Sequence, residues 1–110
     1  MDVQPLDAFR NCIPLFQALA DPARQDIIIL LSEQERLTVN EIADQSKLSR
    51  PAISHHLKIL RDTKLVAIEQ KGTQRFYSLQ LNDAIDLLKL FVKMVEETCP
   101  YYQSSESDSK

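Results

Sequence analysis

Only one residue of this 110-residue chain is glycine, Gly72. Phosphate-cradling loops need several glycines at fixed spacing, so a dinucleotide-binding fingerprint and a P-loop are both excluded. Collagen-like and glycine-linker architectures are excluded as well. Hydrophobic residues make up 44% of the chain, enough for the core of one domain. Two cysteines make neither a disulfide scaffold nor a four-cysteine zinc site. The longest uncharged run, Asn11 to Ala20, is too short to span a bilayer. Asp2 precedes any basic residue, so no signal peptide is expected. The expectation is a mostly helical cytoplasmic domain with no membrane contact.

Helix signals come in order along the chain. Leu6, Phe9, Ile13 and Phe16 recur at helical spacing and predict a first helix over 6–20. Pro14 either kinks it or marks its true start. Asp21 and Pro22 form a strong N-cap and first-turn pair, opening a buried helix through the apolar run Ile27 to Leu31. Thr38 and Glu41 have capping-box spacing and predict a short helix over 39–46. After a connection of about three residues, Ser49 caps a further helix with Pro51 in its first turn. Ile53, Leu57 and Leu60 are its inner stripe, and Arg50, Ser54, Lys58 and Arg61 its outer one. The β-forming runs 65–69 and 75–79 flank Gly72 and read as a hairpin with a basic tip. Asn82 or Asp83 caps a last helix through about Thr98, and Pro100 ends it.

A helix-turn-helix followed directly by a β-hairpin is a winged helix: mainly α, with one small hairpin. Residues 1–14 read as an arm or the first part of a dimer helix, 15–98 as the DNA-binding and dimerisation domain, and 99–110 as a polar, disordered tail. Charge follows this division. The net charge is −3, but 47–75 holds seven bases against two acids, a net +5. The other 81 residues hold six bases and fourteen acids, a net −8. A basic block in an acidic chain suggests a face for an anion; a solvated surface stretch is the alternative.

Three segments resemble the ArsR/SmtB family of winged-helix repressors. Ala18-Leu19-Ala20-Asp21-Pro22-Ala23-Arg24 looks like its signature at the start of the second helix. The run from Leu48 to Leu60, with Ser54-His55-His56-Leu57, resembles its recognition helix. Gly72 with Arg75, Phe76, Tyr77 and Leu79 resembles its wing. The resemblance implies a homodimer that represses at a DNA operator and is released by an effector. The family's metal ligands do not carry over. Leu37 to Ile42 holds no cysteine, and the last helix, with Asp83 and Asp86, holds no histidine. No metal site and no cofactor are expected, and the two aspartates suit the helix dipole instead.

Within the outer stripe, Arg50 is the candidate base reader, with a phosphate contact as the alternative. Ser49 and Pro51 begin the same turn, and Ser54 and His55 follow toward bases or backbone. Lys58 and Arg61 are phosphate candidates. Lys71, Thr73 and Gln74 form the wing tip. Arg75 is a phosphate candidate whose alternative is an ion pair with Glu69 across the hairpin. His56 lies toward the inner stripe and reads as a packed structural residue.

Dimerisation through the first and last helices is also expected from the residues themselves. Ile85, Leu88, Val92 and Val95 form one stripe of the last helix, and Leu87, Leu90, Phe91 and Met94 another. One side covers its own domain and the other needs a partner. Phe9, Ile13 and Phe16 of the first helix join that seam, with Leu15 and Leu19 beside them. Cys12 and Cys99 fall on these helices, so a redox or persulfide switch is an alternative mechanism, with buried inert thiols as the bland reading. A protein-only winged helix is a further alternative. No catalytic constellation is present, and no enzyme activity is expected.

Overall fold

The computed structural model describes residues 4–98. It contains six helices and one hairpin: α1 Pro5–Asn11, α2 Ile13–Leu19, α3 Pro22–Glu33, α4 Val39–Asp44, α5 Arg50–Asp62, β1 Val66–Lys71, β2 Gln74–Leu79 and α6 Asn82–Thr98. The winged helix-turn-helix order is present. The expected tail, with Cys99, lies outside the described residues.

The expected first helix is two. Cys12 ends α1 and begins α2, so Pro14 stands in the first turn of α2. That position lacks an intrahelical amide partner anyway, so the proline costs no hydrogen bond. The break buries Cys12 completely. Helix α3 begins as expected: the Asp21 carboxylate accepts from the amides of Ala23 at 2.8 Å and Arg24 at 3.2 Å. Its five-residue apolar run is not buried all round. Ile27 and Leu31, one turn apart, face the core, while Ile29 is 58% exposed.

Thr38 and Glu41 close the capping box in both directions, at 3.1 and 2.9 Å. Helix α4 stops at Asp44, two residues short of its expected end, so five residues rather than three connect it to α5. Ser46 spans part of that connection by accepting the Leu48 amide at 3.0 Å. Ser49 caps α5 through the Ala52 amide at 3.3 Å. Ile53, Leu57 and Leu60 are fully buried, in the centre of a core built from α2 to α6 and both strands.

The far end of α5 holds a turn that no glycine marks. The Leu65 amide donates to the Leu60 carbonyl at 2.8 Å, and the Lys64 amide to that of Arg61 at 2.9 Å. This double bond pattern is a Schellman cap, and Lys64 occupies its left-handed position at φ 62°. Gly72 has the other positive φ, 63°. It opens a two-residue hairpin turn in which only the first residue has positive φ, the II′ pattern whose twist suits paired strands. The open space around Gly72 leaves its backbone angle as the reason for glycine.

The hairpin pairs Val66 with Leu79 through Lys71 with Gln74. Gln74 and Lys71 therefore belong to the strands, and only Gly72 and Thr73 form the loop. One further bridge joins Leu37, just before α4, to Tyr77 of β2, with hydrogen bonds of 2.9 and 2.8 Å. Arg36 reinforces it, standing over the Phe76 ring at 4.7 Å and pairing with Glu69 at 3.1 Å. Among the described residues no helix is long and apolar enough to cross a membrane.

Candidate nucleic-acid interface

The outer face of α5 and the hairpin carry the candidate contact residues, and β1 packs against α5. Ser49, Arg50, Pro51, Ser54, His55, Lys58, Arg61, Lys71, Thr73, Gln74 and Arg75 are all exposed. Their exposure follows from helix period: Arg50, Ser54 and Lys58 recur every four residues, opposite the buried stripe. A Ser-Arg-Pro start to the helix leaves the first backbone amides and an arginine together at its positive end.

The charges on this helix are unequal. Lys58 and Arg61 each lie 3.2 Å from Asp62, so one carboxylate restrains both. The two donors, Lys58 first, hold the Asp62 carboxyl below its usual 3.8. Arg50 has no carboxylate partner among the described residues, and neither does Arg75. The anticipated alternative for Arg75, a pair with Glu69, does not form. Register sets Arg75 opposite Gln70 and Glu69 opposite Phe76, which leaves Glu69 to Arg36 and, at 3.9 Å, to Lys71. The basic ends of α5 and of β2 thus keep free guanidinium groups.

His56 is half-buried, turned away from the exposed His55. Its Nδ1 lies 3.2 Å from Nη1 of Arg24. The sequence signal for this contact is the place of Arg24 three residues after the Asp21 cap, from where its side chain reaches back to the Ala18 and Gln17 carbonyls at the end of α2.

Of the expected seam, Phe9, Ile13, Phe16, Ile85 and Val92 are exposed, and Leu88, Phe91 and Val95 are half-buried. One assignment changes: Leu15 belongs to the chain's own core rather than to the seam. Within the seam Phe91 lies edge-to-face with Phe9 at 4.8 Å and with Phe16 at 5.8 Å. Outside these rings α6 presents a shallow groove of about 320 Å3 lined by Ile85, Leu88 and Val92, with Lys89, Lys93 and Glu96.

The segment that would carry a thiolate metal box is occupied by the α4 capping box, with the Glu41 carboxylate bound to the Thr38 amide. Neither thiol nor imidazole stands there, so the residues do not fit such an ion. Among the described residues no three metal-ligating side chains converge. Cys12 is fully buried.

The arsR family of bacterial regulatory proteins matches residues 21–67, from the α3 cap through the first two residues of β1. An uncharacterized HTH-type transcriptional regulator of Methanocaldococcus jannaschii is 34% identical over 92 residues, covering 84% of this chain and 99% of that one. A transcriptional repressor SmtB homolog of Synechocystis sp. is 35% identical over 97 residues, covering 88% and 73%. An ArsR-like transcriptional regulator from Rhodococcus sp. RHA1 has a similar fold, with a TM-score of 0.72 at 22% identity over 84% of each chain.

Proposed function

Because the chain belongs to the ArsR/SmtB family and is a DNA-binding transcriptional regulator, we propose that it acts in the cytoplasm as a homodimeric repressor, reading a double-stranded operator through α5 and its wing. It works as a binding protein and not as an enzyme. The observation that carries this reading is the exposed basic face of α5, with the unpaired Arg50 at its start. Amino-terminal residues of a recognition helix reach base edges in the major groove, and a free guanidinium there can take guanine O6 and N7 together. Ser54 and His55 follow toward bases or backbone. Lys58, Arg61, Lys71 and Arg75 neutralise phosphates, with Thr73 and Gln74 at the wing.

The exposed apolar residues of α1, α2 and α6 support the dimer. Phe9 is 49% exposed and Val92 50%, and a second copy would cover both. Dimer symmetry calls for a pseudo-palindromic operator with half-sites one helical turn or a multiple apart. An effector releases the DNA; a thiol switch is the alternative mechanism, and since Cys12 is fully buried it would have to begin at Cys99.

Selection of bound sequences from random duplexes supplies the operator, and anisotropy titrations then test the roles. Arg50→Ala should lose about 1–3 kcal/mol of preference for operator over random DNA. Lys58→Ala should weaken both alike and lower the salt slope by about one unit. Equal loss on both DNAs for Arg50→Ala removes its base-reading role.

A further inference from the structure

One guanidinium joins three helices beneath the DNA face. Arg24 stands in the first turn of α3 with its side chain only 12% exposed. Its Nε donates to the Ala18 carbonyl at 2.9 Å and its Nη2 to that of Gln17 at 3.2 Å, closing the open end of α2. The third donor, Nη1, meets Nδ1 of His56 on α5. Arginine only donates, so His56 has to accept, and that requires a neutral ring with its proton on Nε2. A protonated ring has no free lone pair and sets a second positive charge against the guanidinium.

His55 stands about 100° around the same helix, on the exposed face. Its protonation adds charge toward DNA. The two adjacent histidines are therefore placed to answer acid in opposite senses.

The charged groups against His56 are Arg24 and the Asp21 carboxylate beside it, both from α3, with the His55 ring 5.8 Å away on α5 itself. Among the described residues, Glu41 and Asp44 of α4, and Glu69 and Lys71 of β1, make no hydrogen bond or ion pair with it. The Asp21 carboxyl is held below its usual 3.8, chiefly by the Arg24 amide and further by the nearby charges of Arg24 and His56, so this carboxylate offsets part of the repulsion that Arg24 exerts on a charged ring.

We propose that Arg24 is a positioning residue for the recognition helix, acting through neutral His56, so that acid weakens operator binding through His56 and strengthens it through His55. This rests on α5 being the DNA-contacting helix.

The test uses the full chain and a selected operator duplex, titrated by anisotropy between pH 8 and pH 5, the interval in which histidines titrate. Glutamine keeps an acceptor for Arg24 but does not titrate. His55→Gln should lose about tenfold in affinity on acidification. His56→Gln should gain, by about two- to fivefold. The double variant should be nearly flat, and Arg24→Gln in the His55→Gln background should lose the acid response, because a neutral amide can donate to the neutral ring or accept from the protonated one. Nitrogen shifts of the His56 ring in the free protein at pH 8 should report the proton on Nε2. Thermal melts at each pH separate loss of affinity from loss of fold. A His55→Gln protein that keeps its affinity in acid, or a His56 ring carrying its proton on Nδ1, overturns the proposal. Full affinity in Arg50→Ala and Lys58→Ala at pH 8 instead overturns the underlying assignment of α5.

Discussion

Helices α5 and α6 carry similar apolar patterns and meet opposite fates. On α5, Ile53, Leu57 and Leu60 are all fully buried. On α6, only Ala84 is buried, and Ile85, Leu90 and Val92 stand exposed. The helix proposed to face DNA is thus finished within one chain, held by α3, α4 and β1. The last helix is half-finished, with α1 against it through the Phe9–Phe91 contact and a groove left open. Complete burial is concentrated under the face proposed to meet DNA, and exposed apolar area where a second copy is proposed.

This contrast can be broken most directly in the core. Leu57→Ala should cost about 3 kcal/mol in chemical denaturation, because the cavity has no solvent to fill it and its neighbours are fully packed. Val92→Asp should change the unfolding of dilute protein by less than about 0.5 kcal/mol. In sedimentation it should raise the dimer dissociation constant by about tenfold or more, near 1.4 kcal/mol. Parent stability should then rise with protein concentration and that of Val92→Asp should not. Equal unfolding costs for the two substitutions, with no change in assembly, would end the comparison.

Smaller effects sharpen the picture at the end of α5 and the start of α3. Lys64 holds a left-handed conformation that glycine adopts without strain. Lys64→Gly should raise stability by about 0.5 kcal/mol, the relieved strain being partly offset by a more flexible unfolded chain. Acid gives the most gradual response. Asp21 and Asp62 both have carboxyls held low, by the Arg24 amide and by the Lys58 side chain respectively. A depressed value adds stability that is complete above about pH 4 and is lost as pH falls through the folded value. Asp62→Asn should therefore show a shallower loss in an acid denaturation series below about pH 4 than the parent.

Much of this was legible because the local signals are short-range. Asp21, Thr38 and Ser49 each cap the helix that their spacing announced. The inner stripe of α5 followed from period alone. Features that depend on distant neighbours were not legible. Nothing near Leu37 marks it as a partner of Tyr77. Glu69 was a reasonable partner for Arg75 until register set Phe76 opposite it. Of the two readings of Pro14, a kink or a helix start, the second holds: α2 begins at Ile13 and the proline's missing amide falls harmlessly in its first turn; what the proline does not announce is a separate α1 before Cys12. Ile29 reads as core in an apolar run, yet α3 has neighbours on one side only. Lys64 hides because its left-handed turn carries no glycine.

The bridge between Leu37 and Tyr77 has a topological consequence. The chain enters and leaves the segment spanning α4, α5 and the wing at adjacent points, fastened by two backbone hydrogen bonds. A segment whose ends meet in space can be inserted into or exchanged between scaffolds without stretching its host. The α4–wing segment is in that sense a cassette, clasped at its base, and in the proposed dimer the helices outside it would be the frame that spaces two cassettes.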